Sequence, residues 1–123
     1  MRDLPHDPNF FVTPAQAGVP LPPGVTFEKG GYVYIMADRY RGTLYIGVTA
    51  DIAARTMQHR EGKGGEFTSR YGLNRLVYVE HHDEIEDAIA REKAMKKWRR
   101  AWKIRQIEEQ NPDWDDLFET LNT

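Results

Sequence analysis

The sequence predicts an α/β (α+β) fold, in which a small, three-stranded, mainly antiparallel sheet is flanked by helices in the order ββαβαα. Strand-length runs rich in β-branched and aromatic side chains cover residues 32–36, 44–48 and 76–80. Longer charged segments, which begin at capping residues, follow the second and third of these runs. A length of 123 residues suits one hydrophobic core and therefore one domain.

The first 29 residues differ in composition from the rest of the chain. Six of the seven prolines fall in this stretch, and its apolar residues show little periodicity. We therefore predict a proline-rich, mostly irregular arm over residues 1–29 and a folded domain over residues 30–123. The apolar group Phe10, Phe11 and Val12 could dock on that domain.

The first two strand-like runs, residues 32–36 and 44–48, predict an antiparallel hairpin. If its even-numbered loop is centred on residues 39–40, opposite residues sum to 79 and Tyr34 faces Tyr45 directly. Paired residues point to the same side of a sheet, so both phenols would lie on one face.

Capping residues and glycines set the predicted helix bounds. Asp51 is expected to cap a first helix that runs to about Glu61, where glycines follow. A polar loop containing residues 70–72 then leads to the third strand. Asp83 is expected to cap a second helix through about Trp98.

The end of the chain predicts further helical structure. A third helix runs to about Gln110, and Asn111-Pro112 restarts a short final helix, since Asn is a good cap and Pro a good first helical residue.

The composition limits the chemistry. The chain contains no cysteine, which excludes disulfides, thiol catalysis and cysteine-ligated zinc and fits a reducing, cytoplasmic setting. The apolar runs are of strand length and the N-terminus does not resemble a secretory signal, so we expect a cytoplasmic protein without a membrane span.

The net charge of −2 conceals an uneven distribution along the chain. Residues 91–105 contain eight basic and one acidic side chain, whereas residues 106–123 contain six acidic and no basic ones. A local basic surface of this kind can bind phosphates. On charge alone, a solvated helix face neutralised by its acidic neighbours is an equally good interpretation.

The second predicted helix places a carboxylate on its apolar face. Ile85, Ala88 and Ile89 mark the buried stripe, and Glu92 takes the next position of that stripe. A buried carboxylate needs a cation or several donors. A structural ion pair with Lys93 or Lys96 would satisfy it, but we favour a functional carboxylate at the floor of a cleft.

The first predicted helix places Arg55 and His59 on one face, one turn apart. Spacing alone favours an ordinary surface pair, and Tyr34 and Tyr45 are ordinary strand residues. The functional interpretation gains weight because these four side chains and Glu92 could converge at one end of a small sheet.

These residues also resemble a known motif set. Tyr32-Val33-Tyr34, followed eleven residues after Tyr34 by Tyr45-Ile46-Gly47, resembles the paired motif of the GIY-YIG nucleases, although the opening Gly-Ile-Tyr is Tyr-Val-Tyr here. Further similarities are Arg55, His59, Ala90-Arg91-Glu92-Lys93 and Asn111. The likeness covers about residues 30–117 and is closest to small stand-alone bacterial predicted endonucleases.

The resemblance implies hydrolysis of phosphodiester bonds in nucleic acid, DNA in preference to RNA, with one divalent cation. Glu92 would be the sole protein ligand of Mg²⁺, with Mn²⁺ as the alternative. Arg55 would bind the phosphate oxygens. Tyr34 and His59 are alternative proton acceptors, and Tyr45 would position the nucleophile or share the proton.

Other residues are candidates for supporting roles. Gly47 and Asn111 could support the site, although a capping role explains Asn111 equally well. Trp98 and Trp102 could stack on bases, but core packing is favoured. Six basic residues are candidates for contacts with the phosphate backbone: Lys63, Arg70, Lys93, Lys97, Arg99 and Arg100.

Two other functional classes remain open on the sequence. The chain could be a nucleic-acid-binding module that keeps the fold without turnover, or a protein-interaction domain that uses the acidic segment 106–123 or the N-terminal arm. A nuclease this small could also depend on a protein partner for substrate targeting.

Overall fold

The computed structural model describes residues 19–20 and 30–121, and Phe10, Phe11 and Val12 lie outside these ranges. The elements are β1 (Val19–Pro20), β2 (Gly31–Ala37), β3 (Leu44–Thr49), α1 (Ile52–Arg60), α2 (Glu66–Tyr71), β4 (Arg75–His82), α3 (Ile85–Lys96), α4 (Arg100–Gln110) and a 3₁₀ helix (Leu117–Thr120). The predicted α/β fold, with three long antiparallel strands flanked by helices, is confirmed. Within the described ranges, no helix combines the length and apolar character needed to cross a bilayer.

The sheet has the order β1-β4-β2-β3, and every pairing in it is antiparallel. β2 is therefore central among the three long strands, and all its residues are buried. The two-residue strand β1 pairs Val19 with His81 and Pro20 with Glu80, a pairing that the sequence did not predict.

The predicted hairpin register is wrong. Tyr34 pairs with Gly47, and Tyr45 pairs with Met36, so that opposite residues sum to 81. The longer loop of residues 38–43 is stabilised by Asp38, whose carboxylate accepts a 2.8 Å hydrogen bond from the Thr43 amide. Because the shift is two residues, the two tyrosines still share a face, and their ring centroids lie 6.3 Å apart.

Each face of the sheet is covered by its own hydrophobic cluster. Val33 and Ile35 pack with Trp98 and Ile107 of the α3–α4 layer, and Trp102 packs against the same cluster. The predicted core role of the two tryptophans is thus confirmed. The opposite face carries Tyr32, Tyr34 and Met36 with residues of α1 and the 3₁₀ helix.

The helix prediction is confirmed for α1 and wrong for the following segment. The Asp51 side chain caps α1 by accepting a hydrogen bond from the Ala54 amide. Residues 66–71, predicted as a polar loop, form α2, which ends at Gly72 in the left-handed conformation with φ 67°. Glycine adopts this conformation without a steric penalty, so the short helix can turn directly into β4.

Two further expectations about α3 need correction. Its N-cap is Glu84 rather than Asp83. Its buried stripe runs through Ala88, Glu92 and Met95, whereas Ile89 is exposed. A small sheet covers only a narrow part of a helix, and Ile89 lies at the open border of that part.

Asn111 does not begin a helix. It ends α4, and its buried side-chain amide donates to the carbonyls of Val77 and Asp115 at 3.0 and 2.9 Å. The last short helix is capped instead by Asp116, which accepts a hydrogen bond from the Phe118 amide. Asn111 therefore ties the C-terminal segment to β4 through hydrogen bonds to two backbone carbonyls.

Candidate active site

The Tyr34 hydroxyl is the centre of the candidate site. Tyr34 lies on β2 and is 1% exposed. Its oxygen lies 3.0 Å from His59 Nε2 and accepts a hydrogen bond from Arg55 Nε at 3.3 Å. Arg55 and His59 are one turn apart on α1, so the helix delivers both groups to the same phenol.

The other nitrogen of His59 extends this contact into a chain. His59 Nδ1 lies 3.1 Å from the Thr68 hydroxyl, which donates to the Gly65 carbonyl. Because Thr68 uses its only proton on Gly65, its oxygen must accept from Nδ1–H. We therefore assign His59 the tautomer with a bare Nε2, which accepts the Tyr34 proton. The donors run in one direction from Arg55 to Gly65.

Burial sets the protonation states in this chain. Desolvation, with the Arg55 charge acting in the same direction, lowers the pKa of His59 to about 4. Desolvation also raises the pKa of Tyr34 to about 12, against the opposing hydrogen bond from Arg55. At neutral pH the imidazole is therefore neutral and the phenol is protonated.

Two glycines leave the room that these side chains occupy. A Cβ atom on Gly47 would lie 2.5 Å from the Tyr34 hydroxyl, and one on Gly64 would lie 2.1 Å from His59 Nδ1. The Gly64 carbonyl also accepts a 2.8 Å hydrogen bond from Arg55 Nη2. Gly47, predicted as a supporting residue, thus lies directly against the central phenol.

Tyr45 forms the half-buried rim of the same cluster. Its ring centroid lies 6.3 Å from that of Tyr34 and 5.7 Å from that of His59. The Lys96 ammonium lies 6.0 Å from the Tyr45 centroid, within cation–π range. Tyr45 therefore connects the α1 side of the site to α3.

Glu92 reaches the site from α3. It is 8% exposed, and its Oε2 lies 2.5 Å from Lys96 Nζ. Its charge is the smallest of the named effects that raise the pKa of Tyr34, and its partner Lys96 lies over the Tyr45 ring, which connects the carboxylate to the rim of the site. The ion pair with Lys96, considered above as the structural alternative, is formed, and it coexists with the location beside the site.

Four of the five predicted catalytic side chains, those of Tyr34, Tyr45, Arg55 and His59, thus lie together, and Glu92 is connected to them through Lys96. Sequence reasoning missed two of the residues that hold them. Thr68 and Gly64 were not predicted, because both depend on the unexpected helix α2. The adjacent glycines 64–65, with Thr68 three residues later, were the available signal for a helix that begins at a tight turn.

The six candidate phosphate contacts are all exposed but do not surround the phenol. Arg70 forms an ion pair with Glu66 on α2. Arg100 donates to the backbone carbonyls of Arg41 and Gly42 at the hairpin loop. The others lie on or beside the helices that flank the site: Lys63, Lys93, Lys97 and Arg99.

A second buried polar cluster anchors α3 to the sheet. The Glu80 carboxylate on β4 is 1% exposed and accepts hydrogen bonds from Tyr78 at 2.6 Å and from Arg91 at 2.9 and 3.3 Å. His82 Nε2 lies 2.6 Å from the same carboxylate. Arg91 is adjacent to Glu92 in the chain, so this cluster also limits the rotation of α3 and the direction of Glu92.

A three-stranded sheet with tyrosines on its hairpin, an Arg–His pair on the next helix and a carboxylate on a later helix defines a small nuclease-type α+β domain. The chain matches the family described as the GIY-YIG catalytic domain over residues 30–105 and belongs to that family of nucleases.

Several small bacterial proteins are similar to the chain. It is 35% identical over 78 residues to a UPF0213 protein of Staphylococcus epidermidis, covering 63% of this chain and 94% of the relative. Identity to a UPF0213 protein of Syntrophus aciditrophicus is 37% over 83 residues, with 67% and 93% coverage. A UPF0213 protein of Streptococcus sanguinis is 34% identical over 82 residues, with the same coverage. No solved structure matches the chain.

Proposed function

We propose that the chain is a metal-dependent endonuclease that hydrolyses phosphodiester bonds in nucleic acid, with DNA as the substrate. The observation that supports this most strongly is the Tyr34 hydroxyl, which is bonded to both Arg55 and His59. An acceptor for a proton and a fixed cation for phosphate thus meet at one oxygen atom, and an acid for a metal is linked to the rim of the site through Lys96.

The hydrogen-bond chain supplies a route for the proton of the attacking water. As the water oxygen bonds to phosphorus, its proton passes to the Tyr34 oxygen while the Tyr34 proton passes to His59 Nε2. The P–O bond to the leaving nucleotide breaks, and solvent protonates the departing oxygen. A phenol with a pKa of about 12 need not ionise first, because it gives up one proton as it gains another. The negative phosphate would raise the pKa of His59 in the complex.

Arg55 is suited to bind the non-bridging phosphate oxygens. Its guanidinium is half-buried and oriented by Tyr34, by Gln58 at 2.8 Å and by the Gly64 carbonyl at 2.8 Å. A planar fork held in this way needs little reordering when the phosphate arrives. Lysine at this position would present a single point charge and lose the fixed geometry.

The residues present fit a weakly held Mg²⁺ ion. Glu92 offers a carboxylate oxygen, and its surroundings already accommodate the positive charge of Lys96 beside Oε2. In the part of the chain that the structure describes, no three His, Cys, Asp or Glu side chains cluster to hold a metal, so water and substrate oxygens would complete the shell. When bound, the ion supplies charge stabilisation at the phosphate.

Cleavage of labelled single-stranded, duplex and branched DNA, with matching RNA substrates, tests the proposal in Mg²⁺, in Mn²⁺ and in chelator. We expect wild-type protein to cut DNA only with metal, and Glu92→Gln to lose at least 100-fold in rate. Glu86→Gln is the matched control, since Glu86 is an exposed carboxylate on the same helix. Cutting by Glu92→Gln at the wild-type rate would remove the carboxylate from the mechanism.

A second pair of variants tests the cation. Arg55→Lys should lower the cleavage rate at least tenfold, whereas Arg60→Lys, on the same helix and paired with Asp116, should not. Equal rates for the two variants would contradict the role of the Arg55 fork. Thermal unfolding of each variant separates lost activity from lost folding.

A nucleic-acid-binding module without turnover is the second candidate. The near-complete burial of Glu92 and its pairing with Lys96 favour it, because a metal must displace the ammonium. Salt-sensitive binding of DNA by the wild type, with no cleavage in either metal, would select this function.

A further inference from the structure

A cavity of about 490 Å³ lies at the loop end of the β2–β3 hairpin, beside the start of α4. Four of the side chains that line it are cationic: Arg39, Arg41, Arg100 and Lys103. The predicted phosphate contacts included only one of these, Arg100. The cavity therefore combines positive charge from the hairpin loop and from α4, two segments that are far apart in the sequence.

Two of the four cations are already neutralised. Arg41 donates two 2.8 Å hydrogen bonds to the Glu108 carboxylate, and Arg39 lies 2.5 Å from the Asp38 carboxylate. The Arg39–Asp38 pair is exposed on the arginine side and therefore weak and screened by salt, whereas the bidentate Arg41–Glu108 pair is firmly held. The cavity retains two positive charges even when both pairs are intact.

The other two cations, Arg100 and Lys103, have no carboxylate partner among the described residues. Arg100 Nη2 donates to the carbonyls of Arg41 and Gly42 at 2.5 and 2.7 Å. Burial lowers the pKa of Lys103, and the Arg100 charge adds to this effect. Two like charges on one turn of α4 repel each other, and an anion between them would remove that repulsion.

The backbone at the cavity is held in an unusual conformation. Arg41 has a positive φ of 53°, which costs free energy for a residue with a side chain. This conformation directs two consecutive carbonyls at Arg100 and thereby holds its guanidinium at the cavity. Strained positions of this kind concentrate at binding sites.

The cavity and the candidate active site share the edge strand β3 but lie on opposite faces of the sheet, because Leu44 and Tyr45 are neighbours in the strand and pack in different clusters. Leu44 lines the cavity and directly precedes Tyr45 at the rim of the site. On the other side, Lys96 lies against the Tyr45 ring and precedes Arg100 by four residues. A nucleic-acid backbone that crosses Tyr45 towards the hairpin loop would meet these cations next.

We propose that this cavity binds a backbone phosphate of the nucleic-acid strand, outside the bond that is cut, and directs the strand from Tyr45 around the edge strand β3. The inference rests on the proposed function, because it takes the substrate to be nucleic acid. Arg39, Arg100 and Lys103 contact phosphate oxygens and therefore add affinity without reading sequence.

Lys103→Gln is the first test, with Arg105→Gln as the matched control. Arg105 is an exposed cation on the same helix and does not line the cavity. Binding of a labelled oligonucleotide is measured by fluorescence anisotropy across a salt series, in Ca²⁺ and with Glu92→Gln as the common background.

One lost phosphate contact lowers the slope of log affinity against log salt by ~0.7–0.9. At 0.1 M salt this corresponds to about a 5- to 8-fold loss for Lys103→Gln, and Arg39→Gln/Lys103→Gln should lose about twice that slope. Arg105→Gln should keep the wild-type slope. Equal slopes for Lys103→Gln and Arg105→Gln would overturn the inference.

Inorganic phosphate separates a strand-binding cavity from a site for small anions. The amide resonances of Gly42 and Thr43 should shift with oligonucleotide at concentrations where phosphate leaves them unchanged. If inorganic phosphate shifts these resonances and added oligonucleotide does not displace it, the cavity is a site for a free anion instead.

Hydrolysis of bis(p-nitrophenyl) phosphate distinguishes failure of this inference from failure of the proposed function. This diester has a single phosphate, the one that is cleaved, and none to occupy the cavity, so Lys103→Gln should cleave it at the wild-type rate. If the wild type cleaves neither this diester nor DNA, the hydrolytic proposal fails. In that case the salt dependence of binding by Lys103→Gln and Arg105→Gln still tests whether the cavity binds a backbone phosphate.

Discussion

The pKa of His59 makes the stability of the domain depend on pH in a defined window. The unfolded imidazole titrates near ~6.5, and burial lowers the folded value to about 4. As the pH falls below ~6.5, the unfolded chain binds a proton that the folded chain cannot, so the free energy of unfolding decreases until about pH 4. A shift of roughly 2.5 pKa units corresponds to about 3 kcal/mol.

Urea unfolding, followed by tryptophan fluorescence at half-unit steps from pH 4 to 8, measures this loss in wild type and in His59→Gln. The lowered pKa values of Glu80 and Glu108 also decrease stability in acid, but both carboxylates are present in the two proteins. The difference between the two curves should therefore isolate His59. The free energy of unfolding of the wild type minus that of His59→Gln should be constant above pH ~6.5 and should decrease by about 3 kcal/mol towards pH 4.

A proton-NMR titration of the same ring gives the folded pKa directly. A measured pKa near ~6.5, or a difference between wild type and His59→Gln that does not change between pH 4 and 7, would refute the reasoning. The imidazolium would then be as stable in the folded chain as in water. The assigned chain from Arg55 to Thr68 would have to be abandoned.

Three further outcomes are expected. Gly47→Ala places a Cβ against the Tyr34 hydroxyl. It should lower the free energy of unfolding in urea by ~1–3 kcal/mol and reduce the cleavage rate at least tenfold. Wild-type values of both quantities would contradict the packing. Lys96→Met removes the ammonium that is paired with the Glu92 carboxylate and would compete with a metal ion. The affinity for Mn²⁺, measured by calorimetry, should rise several-fold. Unchanged affinity would argue against a metal at Glu92. Glu80→Gln leaves the buried Arg91 charge poorly compensated and should cost ~3–5 kcal/mol in urea unfolding; a loss below ~1 kcal/mol would show that the cluster is solvated.

Local signals in the sequence predicted the elements whose structure depends on neighbouring residues. Asp51 begins α1 where a good N-cap should, because its side chain bonds an amide only three residues away. The hairpin was also predicted, because its two strands are joined by a short loop and are neighbours in the chain. The register was wrong because the side chain of Asp38 stabilises a six-residue loop, and alternation alone cannot distinguish shifts of two residues.

Helix α2 was missed because short helices owe their stability to tertiary packing rather than to propensity. Its Thr68 is buried against His59, a contact between residues on separate elements. Ile89 was assigned to the core for a related reason, since helical periodicity shows which residues share a face but not how much of that face the sheet covers.

For the candidate site, the sequence by itself determined the types of side chain and the pairing of Arg55 with His59 on one face, because helical spacing is local. Only the tertiary structure decided that both meet Tyr34, that His59 is neutral and that Glu92 is paired with Lys96. These properties depend on desolvation and on distances between separate elements, and both are set by packing of the whole domain rather than by neighbours in the chain.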